Sequence, residues 1–328
     1  MKLAEIGEFG LIKAISTIAD KGPGVVRGIG DDAAVLRPSA GKVLLVTTDL
    51  LLEGVHFQLE FTDPYRLGRK AIAVNLSDIA ACGGTPTAFL VSLAVPPETE
   101  MASVQALYKG MMEQAHLYGV SLIGGDTSKG KELMISITLI GEVEERNCVY
   151  RNGAKLGDRI FVTGTLGDSA LGLKMLKSGV KKGYLIERHR DPTPRLKEGG
   201  AIARQGLATA MIDISDGLIA DLGHILEASG VGAHISLPQL PLSVSYLKHV
   251  TPYYKNPYLL ALAGGEDYEL LFTAPRERGE AIKRLANELG TPLTLIGEIT
   301  GAAAGVTLVG ANGKKVPVAQ RGHDHFKT

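Results

Sequence analysis

Cysteine is scarce in this chain. Cys82 and Cys148 are the two present in 328 residues, and neither belongs to a CxxC pair. That excludes a disulfide framework and a cysteine-built structural zinc site. An excess of one charge is missing too: 35 Lys and Arg balance 35 Asp and Glu. No bulk field gathers nucleic acid or an acidic membrane surface, so any polyanion site must be local. Long apolar runs are also lacking, since the stretch from Ala71 to Pro97 is broken by Asn75, Ser77, Asp78 and Thr85. The N-terminal MKLAEIGEFGLIK has no apolar centre of signal-peptide length. A reduced, cytoplasmic protein is expected, one that binds neither membrane nor nucleic acid, and the Asn75-Leu76-Ser77 sequon is then empty. No GxxxxGK[ST] occurs, which removes a P-loop, and the eight histidines form no HExxH.

Glycine, in contrast, is abundant at 41 residues with no short repeat to account for it. Turns and close backbone approach to a ligand are the uses that fit. At 328 residues and 45% hydrophobic, the chain exceeds one usual compact domain and can fill two cores. The boundary is expected before the polar, Gly-rich stretch 152–158, giving domains 1–148 and 149–328. The first reads as strands at 42–51 and 87–95, helices at 63–81 and 99–118, and strands in VSLIGGD and LMISITLIGEV. Asp63 and Thr99 are the expected helix caps, and Pro64 suits a first turn. The second opens with a strand at 159–164 and a helix in GDSALGLKML. Residues 181–195, basic and broken by proline, read as a mobile loop. Then follow a strand AMIDIS, a helix at 217–229, strands AHISL and YELLFTA, a helix at 276–289 and strands at 293–299 and 305–309. This loose alternation gives an α+β, mixed α/β fold in two domains.

The chemistry enters through acids. GIGDDAAVL (28–36) has the spacing of a dinucleotide-binding turn, but Asp31 and Asp32 would repel a diphosphate laid directly on a helix N-terminus. KGPGVVR before it does not read as a strand. The same composition, an acid among Gly, Ser or Thr at the end of an apolar run, recurs in GDDAA, TTD, NLSD, GGDT, DISDG and GGEDYE. One such motif is an ordinary turn or cap. Six need compensating charge, and the composition offers no matched set of basic partners. Two carboxylates ~4 Å apart repel by roughly 4 kcal/mol at an effective dielectric near 20. A divalent cation reverses that sign, and Asp, Thr hydroxyl and backbone carbonyl are the hard oxygen donors that suit Mg²⁺. Asn75 and Asp78, three apart on a helix, are expected to face one way, as are Asp213 and Ser215 at a strand end. Gly124-Gly125 before Asp126 lets N–H groups approach a phosphate. Magnesium carboxylates beside glycine-rich backbone are the chemistry of a nucleoside triphosphate site.

GIGDDAAVL, TTDLLLEGVHF, AVNLSDIAACGGTP, LIGGDTSKG, RNGAKLGDRIFVTGTLGDSALGL, IDISDGLIADL, GGEDYELLF and GHDHF, in this order, resemble the thiamine-monophosphate kinase family. That family lies within the aminoimidazole ribonucleotide synthetase-like superfamily, and the likeness runs from about Glu8 to Phe326. It implies ATP-dependent phosphorylation of thiamine monophosphate to thiamine diphosphate. It also implies a homodimer whose N-terminal domains pair their sheets into a barrel, with ATP near that interface. The relatives fit less well. A selenophosphate synthetase would want a Cys in a glycine-rich N-terminal loop, and a hydrogenase-maturation relative a C-terminal Cys. A purine-pathway synthetase carries a different motif where this chain has TTDLLLEGVHF. Another ATP-dependent enzyme of the superfamily, a nucleotide-binding scaffold without turnover and an NAD-linked oxidoreductase are the alternatives.

Carried over residue by residue, the resemblance implies magnesium ligands at Asp32, Thr47, Thr48, Asp49, Asp78, Asp126, Asp213 and Asp216. ATP contacts would be Tyr108, Gly125, Asp126, Arg151 and Ser215, and substrate contacts His56, Glu266 and His323. Asp126, Arg151 and Asp213 would carry the catalysis. Position 323 departs from the family, which usually has a large aromatic residue there to stack on the thiamine ring. The implied mechanism is direct in-line transfer of the γ-phosphoryl group to a phosphate oxygen that is already largely deprotonated. Such a reaction needs positioning and charge neutralisation by several Mg²⁺ ions rather than a strong general base. Taken alone, His56 also fits a packed histidine and Tyr108 a core position, while Arg188, Arg190 and Arg195 fit either closure over phosphates or a solvated loop.

Overall fold

The structure is a computed structural model that describes residues 2–19, 22–29 and 33–317. It divides into two compact units, the first Met1–Ile79 with Gly84–Glu145, the second Ala80–Gly83 with Arg146–Thr328. Asp31, Asp32 and the GHDHF tail with His323 lie outside the described residues. Among the described residues no helix is long and apolar enough to cross a membrane.

The first unit opens with α1 (Leu3–Ser16), followed by a small antiparallel pair, β1 (Val25–Arg27) and β2 (Val35–Leu36). KGPGVVR therefore does contain a strand, in which Val25 pairs with Leu36 and Arg27 with Val35 despite the flanking Gly and Pro. The turn after it returns to a second strand rather than entering a helix, so the dinucleotide reading fails on topology. The main sheet is built from β3 (Lys42–Leu52), β4 (Thr85–Val95), β5 (Ser121–Lys129) and β6 (Met134–Glu144), in the order β3-β6-β4-β5. β3 and β4 each run antiparallel to β6, while β4 and β5 are parallel. A parallel pair needs a crossover, and α3 (Met101–Leu117) supplies it. The other helix, α2 (Pro64–Ala81), starts as its sequence demands: Asp63 accepts the Arg66 N–H at 2.9 Å. For α3 the cap is Glu100 rather than Thr99, and its side chain makes no capping bond.

α2 and α3 cross where glycine removes the side chain. A Cβ on Gly68 would stand 2.0 Å from Leu107 O, and one on Gly110 would stand 1.9 Å from Tyr65 O. The helix side of the sheet holds Leu45, against which the α2 residue Ile79 packs around Gly84. On the opposite side, Leu44, Val46 and Leu50 of edge strand β3 are exposed, Val46 by 66%.

The second unit is a seven-stranded mixed sheet. Its strands are β7 (Arg159–Thr163), β8 (Ala210–Asp213), β9 (Val231–Ser236), β10 (Leu270–Ala274), β11 (Leu293–Gly301), β12 (Val306–Val309) and β13 (Lys315–Val316), in the order β13-β12-β9-β11-β7-β10-β8. The helices are α4 (Asp168–Lys177), α5 (Tyr184–Arg190), α6 (Leu196–Arg204), α7 (Leu218–Ser229), α8 (Val244–His249), α9 (Leu259–Ala263) and α10 (Gly279–Leu289). β8 and β10 are buried along their whole length, as expected of strands covered on both faces. One face carries a cluster that includes Ile160, Val162, Ile212, Leu222, Ile225, Leu271 and Ile296. Phe161 and Phe272 stack on each other with centroids 5.3 Å apart. The basic stretch expected as a mobile loop is in part helix α5, whose Leu185 and Ile186 are buried. Pro192 and Pro194 come just after it, where a helix has to end.

Candidate active site

In the first unit, strand periodicity sorts the acids onto two faces. Thr47 and Asp49 share the helix side of β3, and the Thr47 hydroxyl donates to Asp78 Oδ2 from α2. Burial first, and then the nearby Asp78, push the Asp49 carboxyl up to about 7. Thr48 points to the open face, where its Oγ1 accepts from the Thr138 hydroxyl at 3.3 Å and lies 3.5 Å from Ser136 Oγ. Ser136 pairs with Ser92 and Ser92 with Asp126, so a partly exposed hydroxyl row leads across that face to the Asp126 carboxylate. Asn75 does not join Asp78. It is 1% exposed, its Nδ2 donates to Ala71 O at 3.0 Å, and its Oδ1 has no hydrogen-bond partner among the described residues.

The sheet order sets a second limit. Asp49 aligns with Ile137, Ile137 with Val91 and Val91 with Gly125. Asp49 and the Gly125-Asp126 pair therefore stand at one height on opposite edges, three strand spacings or about 14 Å apart. One ion cannot bridge them within one copy of the unit. Accordingly, no group of three His, Cys, Asp or Glu able to hold a metal is found among the described residues. The sheet order therefore separates the first unit's acids into two groups, Asp49 with Asp78 on one edge and Asp126 on the other. Gly125 has a local reason to be glycine, because a Cβ there would lie 2.0 Å from Val91 O.

His56 sits just beyond β3, and its Nδ1 accepts the Leu52 N–H at 3.0 Å. That leaves the ring proton of the neutral imidazole on Nε2. Tyr108 is 3% exposed on α3, its hydroxyl pKa raised by burial. It lines a cleft of about 570 Å³ with Leu11, Ile15, Met101 and Met112.

In the second unit, antiparallel pairing of β8 with β10 sets Asp213 opposite Leu270, so DISDG and GGEDYE leave the sheet together. They are tied by backbone: Glu266 N–H donates to Ser215 O at 2.7 Å and Tyr268 N–H to Ile214 O at 2.9 Å. Asp213 is 4% exposed at the strand end. The 214–217 turn is held by Asp221, a residue the motif reading missed. Its Oδ2 accepts N–H groups from Ser215, Asp216 and Gly217 at 3.0–3.1 Å. Burial and then Asp216 raise the Asp221 carboxyl to about 7 against those three bonds. The signal was available, as an acid in the first turn of the helix that follows the turn. Arg151 is exposed on a segment running beside β8, where Met211 N–H donates to Tyr150 O at 3.0 Å.

Among the described residues, the non-glycine positions at positive φ both lie in the GGEDYE loop, Glu266 at 65° and Tyr268 at 50°. Each costs about 1–3 kcal/mol and persists only where the surroundings enforce it. Here the enforcement is specific. Asp267, 1% exposed, accepts the Gly167 N–H at 2.7 Å, and burial raises its carboxyl to about 8. Glu269, fully buried, accepts from Thr163 Oγ1, from Arg195 Nε and Nη2 at 2.6 Å each, and from Arg188 Nη2 at 2.9 Å. Basic partners therefore do exist, and they come from the stretch expected to be a loop. Arg188 and Arg195 are half-buried ion-pair partners of an interior acid, not solvated cations.

Residues 30–143 match the AIR synthase related protein, N-terminal domain, and residues 155–309 match its C-terminal domain. The thiamine-monophosphate kinase of Escherichia coli K12 is 40% identical over 329 residues, spanning 98% of this chain and 99% of that protein. The chain belongs to the thiamine-monophosphate kinase family. The crystal structure of the Stenotrophomonas maltophilia K279a kinase superposes with a TM-score of 0.83 at 38% identity, covering 95% of this chain and 98% of that one. The AaThiL complex with AMPPCP and TMP gives 0.77 at 40% identity, with 99% of each chain covered. Family membership fixes the fold as the mixed α/β pair of synthase-related domains.

Proposed function

We propose that this protein transfers the γ-phosphoryl group of ATP to thiamine monophosphate, forming thiamine diphosphate and ADP by direct in-line attack. The observation that supports this most is likeness over nearly the whole chain, at 40% identity, to a structure that holds AMPPCP and TMP together. The acceptor phosphate is an anion at neutral pH, so the residues need to position and neutralise rather than remove a proton. Glu266 is the anionic partner of the thiamine cation, and His56 presents Nε2–H to the same substrate. Tyr108 and its cleft suit the nucleobase. Arg151 adds a fixed cation for the phosphates, and Ser215 meets them from the turn braced by Asp221.

The oxygen donors of Thr47, Asp49 and Asp78 fit magnesium, because an all-oxygen set with two neighbouring acids suits a hard divalent cation. Those residues, with Thr48, Asp126, Asp213, Asp216 and Asp32, would hold several Mg²⁺ ions that neutralise phosphate charge. We further propose a homodimer. β3 and β5 are unpaired edges at one height, and the open face beside β3 exposes Leu44, Val46 and Leu50. Pairing β3 of one copy with β5 of another covers that face. It also brings the Asp126 of one copy alongside Thr48 and Asp49 of the other. A location in the cytoplasm fits the ATP substrate.

The test is direct. Purified protein with Mg-ATP and thiamine monophosphate should yield equal amounts of thiamine diphosphate and ADP. No product with thiamine monophosphate, together with turnover of a purine-pathway substrate, overturns the reading.

A further inference from the structure

Two carboxylates of the GGEDYE loop are gripped in opposite ways. Glu269 is fully buried under two arginines. Glu266 keeps 26% of its side chain exposed, and one of its partners is an imidazole, His189 Nδ1, 3.1 Å from Oε2. His189 is 8% exposed on α5. A carboxylate can only accept, so the ring proton sits on Nδ1 and is donated to Glu266. The Ser169 hydroxyl oxygen, also 3.1 Å from Nδ1, shares the same proton as a second acceptor. The backbone N–H of Ser169 donates to Asp267 Oδ1 at 3.4 Å, and Arg188 Nη2 donates to Asp267 O at 3.3 Å. Helix α5 and the start of α4 thus hold Glu266, Asp267 and Glu269 as one unit, with Glu266 in the left-handed conformation at φ 65°.

The choice of histidine has a chemical meaning. An arginine at position 189 would fix the Glu266 carboxylate and cancel its charge permanently, as happens at Glu269. A neutral imidazole orients the carboxylate and leaves its negative charge for another cation. We propose that His189 is the positioning residue for recognition of the substrate's organic cation, holding Glu266 charged and correctly turned toward it. The proposal rests on the kinase reading, which makes Glu266 the partner of the thiamine ring.

The experiment compares steady-state kinetics of the wild type, His189→Phe, His189→Asn, Glu266→Gln and the double variant His189→Phe/Glu266→Gln. Phenylalanine keeps the ring and removes the donor, whereas asparagine restores an N–H where Nδ1 was. His189→Phe is expected to raise KM for thiamine monophosphate about tenfold, with kcat and KM for ATP changing less than about threefold. His189→Asn should recover most of that loss. The double variant should be no worse than Glu266→Gln alone. Should His189→Phe not fold, His189→Ala carries the same expectation, with folding read from its melting curve. Absence of thiamine diphosphate from the wild type overturns the kinase reading and the proposal together. With normal wild-type turnover, any of three results overturns the proposal alone. These are an unchanged KM for thiamine monophosphate, an equal rise in both KM values, or fully additive losses in the double variant.

Discussion

Acid-and-glycine motifs of one composition do different work in the two units. In the first, Asp49 lies within electrostatic reach of Asp78, which takes the Thr47 hydroxyl, and Asp126 stands in the open on the far edge of the sheet. In the second, the protein itself satisfies three of its acids. Asp221 takes three N–H groups, Asp267 the N–H groups of Gly167 and Ser169, and Glu269 two arginines. A carboxylate already saturated by protein donors is scaffold, and one that faces another carboxylate is ready for a cation. Composition cannot separate the two, since what differs is the partner supplied from elsewhere in the chain.

The largest effect should come from breaking the first unit's acids. Asp49→Asn and Asp126→Asn are each expected to lower kcat by about a thousandfold or more, as losing a main charge-stabilising group does. Melting temperature should change little, because neither carboxylate is tied into a protein ion pair in the way Glu269 is. Mixing the two variants after reversible dissociation sharpens the point. If Asp126 of one copy serves Asp49 of the other, half of the dimers are mixed and each has one intact site. Activity then returns to about a quarter of wild type. No return on mixing, with subunit exchange verified by mass, breaks the shared-site reading.

The second unit should respond in stability before activity. Glu269→Ala leaves the half-buried Arg188 and Arg195 without their partner, and removing one member of such a cluster costs about 3–5 kcal/mol. Urea denaturation should show that loss, and a change under about 1 kcal/mol would contradict the interior role assigned to this acid. The contrast explains how much could be read in advance. Strands β3, β4 and β6 and helix α2 were legible because apolar periodicity and the Asp63 cap are local signals. The acid positions were equally visible, each in its own short motif. What remained hidden was non-local. The β3-β6-β4-β5 order separates Asp49 from Asp126, and the arginines of a proline-broken segment turn inward to Glu269. Basic residues near proline look like solvent loops until an interior acid 74 residues away claims them.

The smallest effect is a pH dependence that separates the two kinds of acid. Burial and Asp78 hold the Asp49 proton up to about pH 7 in the folded unit, whereas the unfolded chain releases it near 4. Between those values the folded state binds more protons. The contribution of this carboxyl to metal-free stability is therefore complete below about pH 4 and lost as the pH rises through 7. A magnesium ion at Asp49 and Asp78 needs both carboxylates ionised, so its stabilisation runs the other way. The rise in melting temperature on adding MgCl₂ should be small at pH 5.5 and reach about 2–4 °C by pH 8. Asp267, also pushed up to about 8, takes no part, because backbone N–H groups occupy its oxygens. Asp49→Asn should flatten the magnesium response at every pH, and Asp267→Asn should leave its pH profile intact. An equal magnesium shift at pH 5.5 and pH 8, or a response that vanishes in Asp267→Asn instead, would mean that the ion binds by some other set of acids.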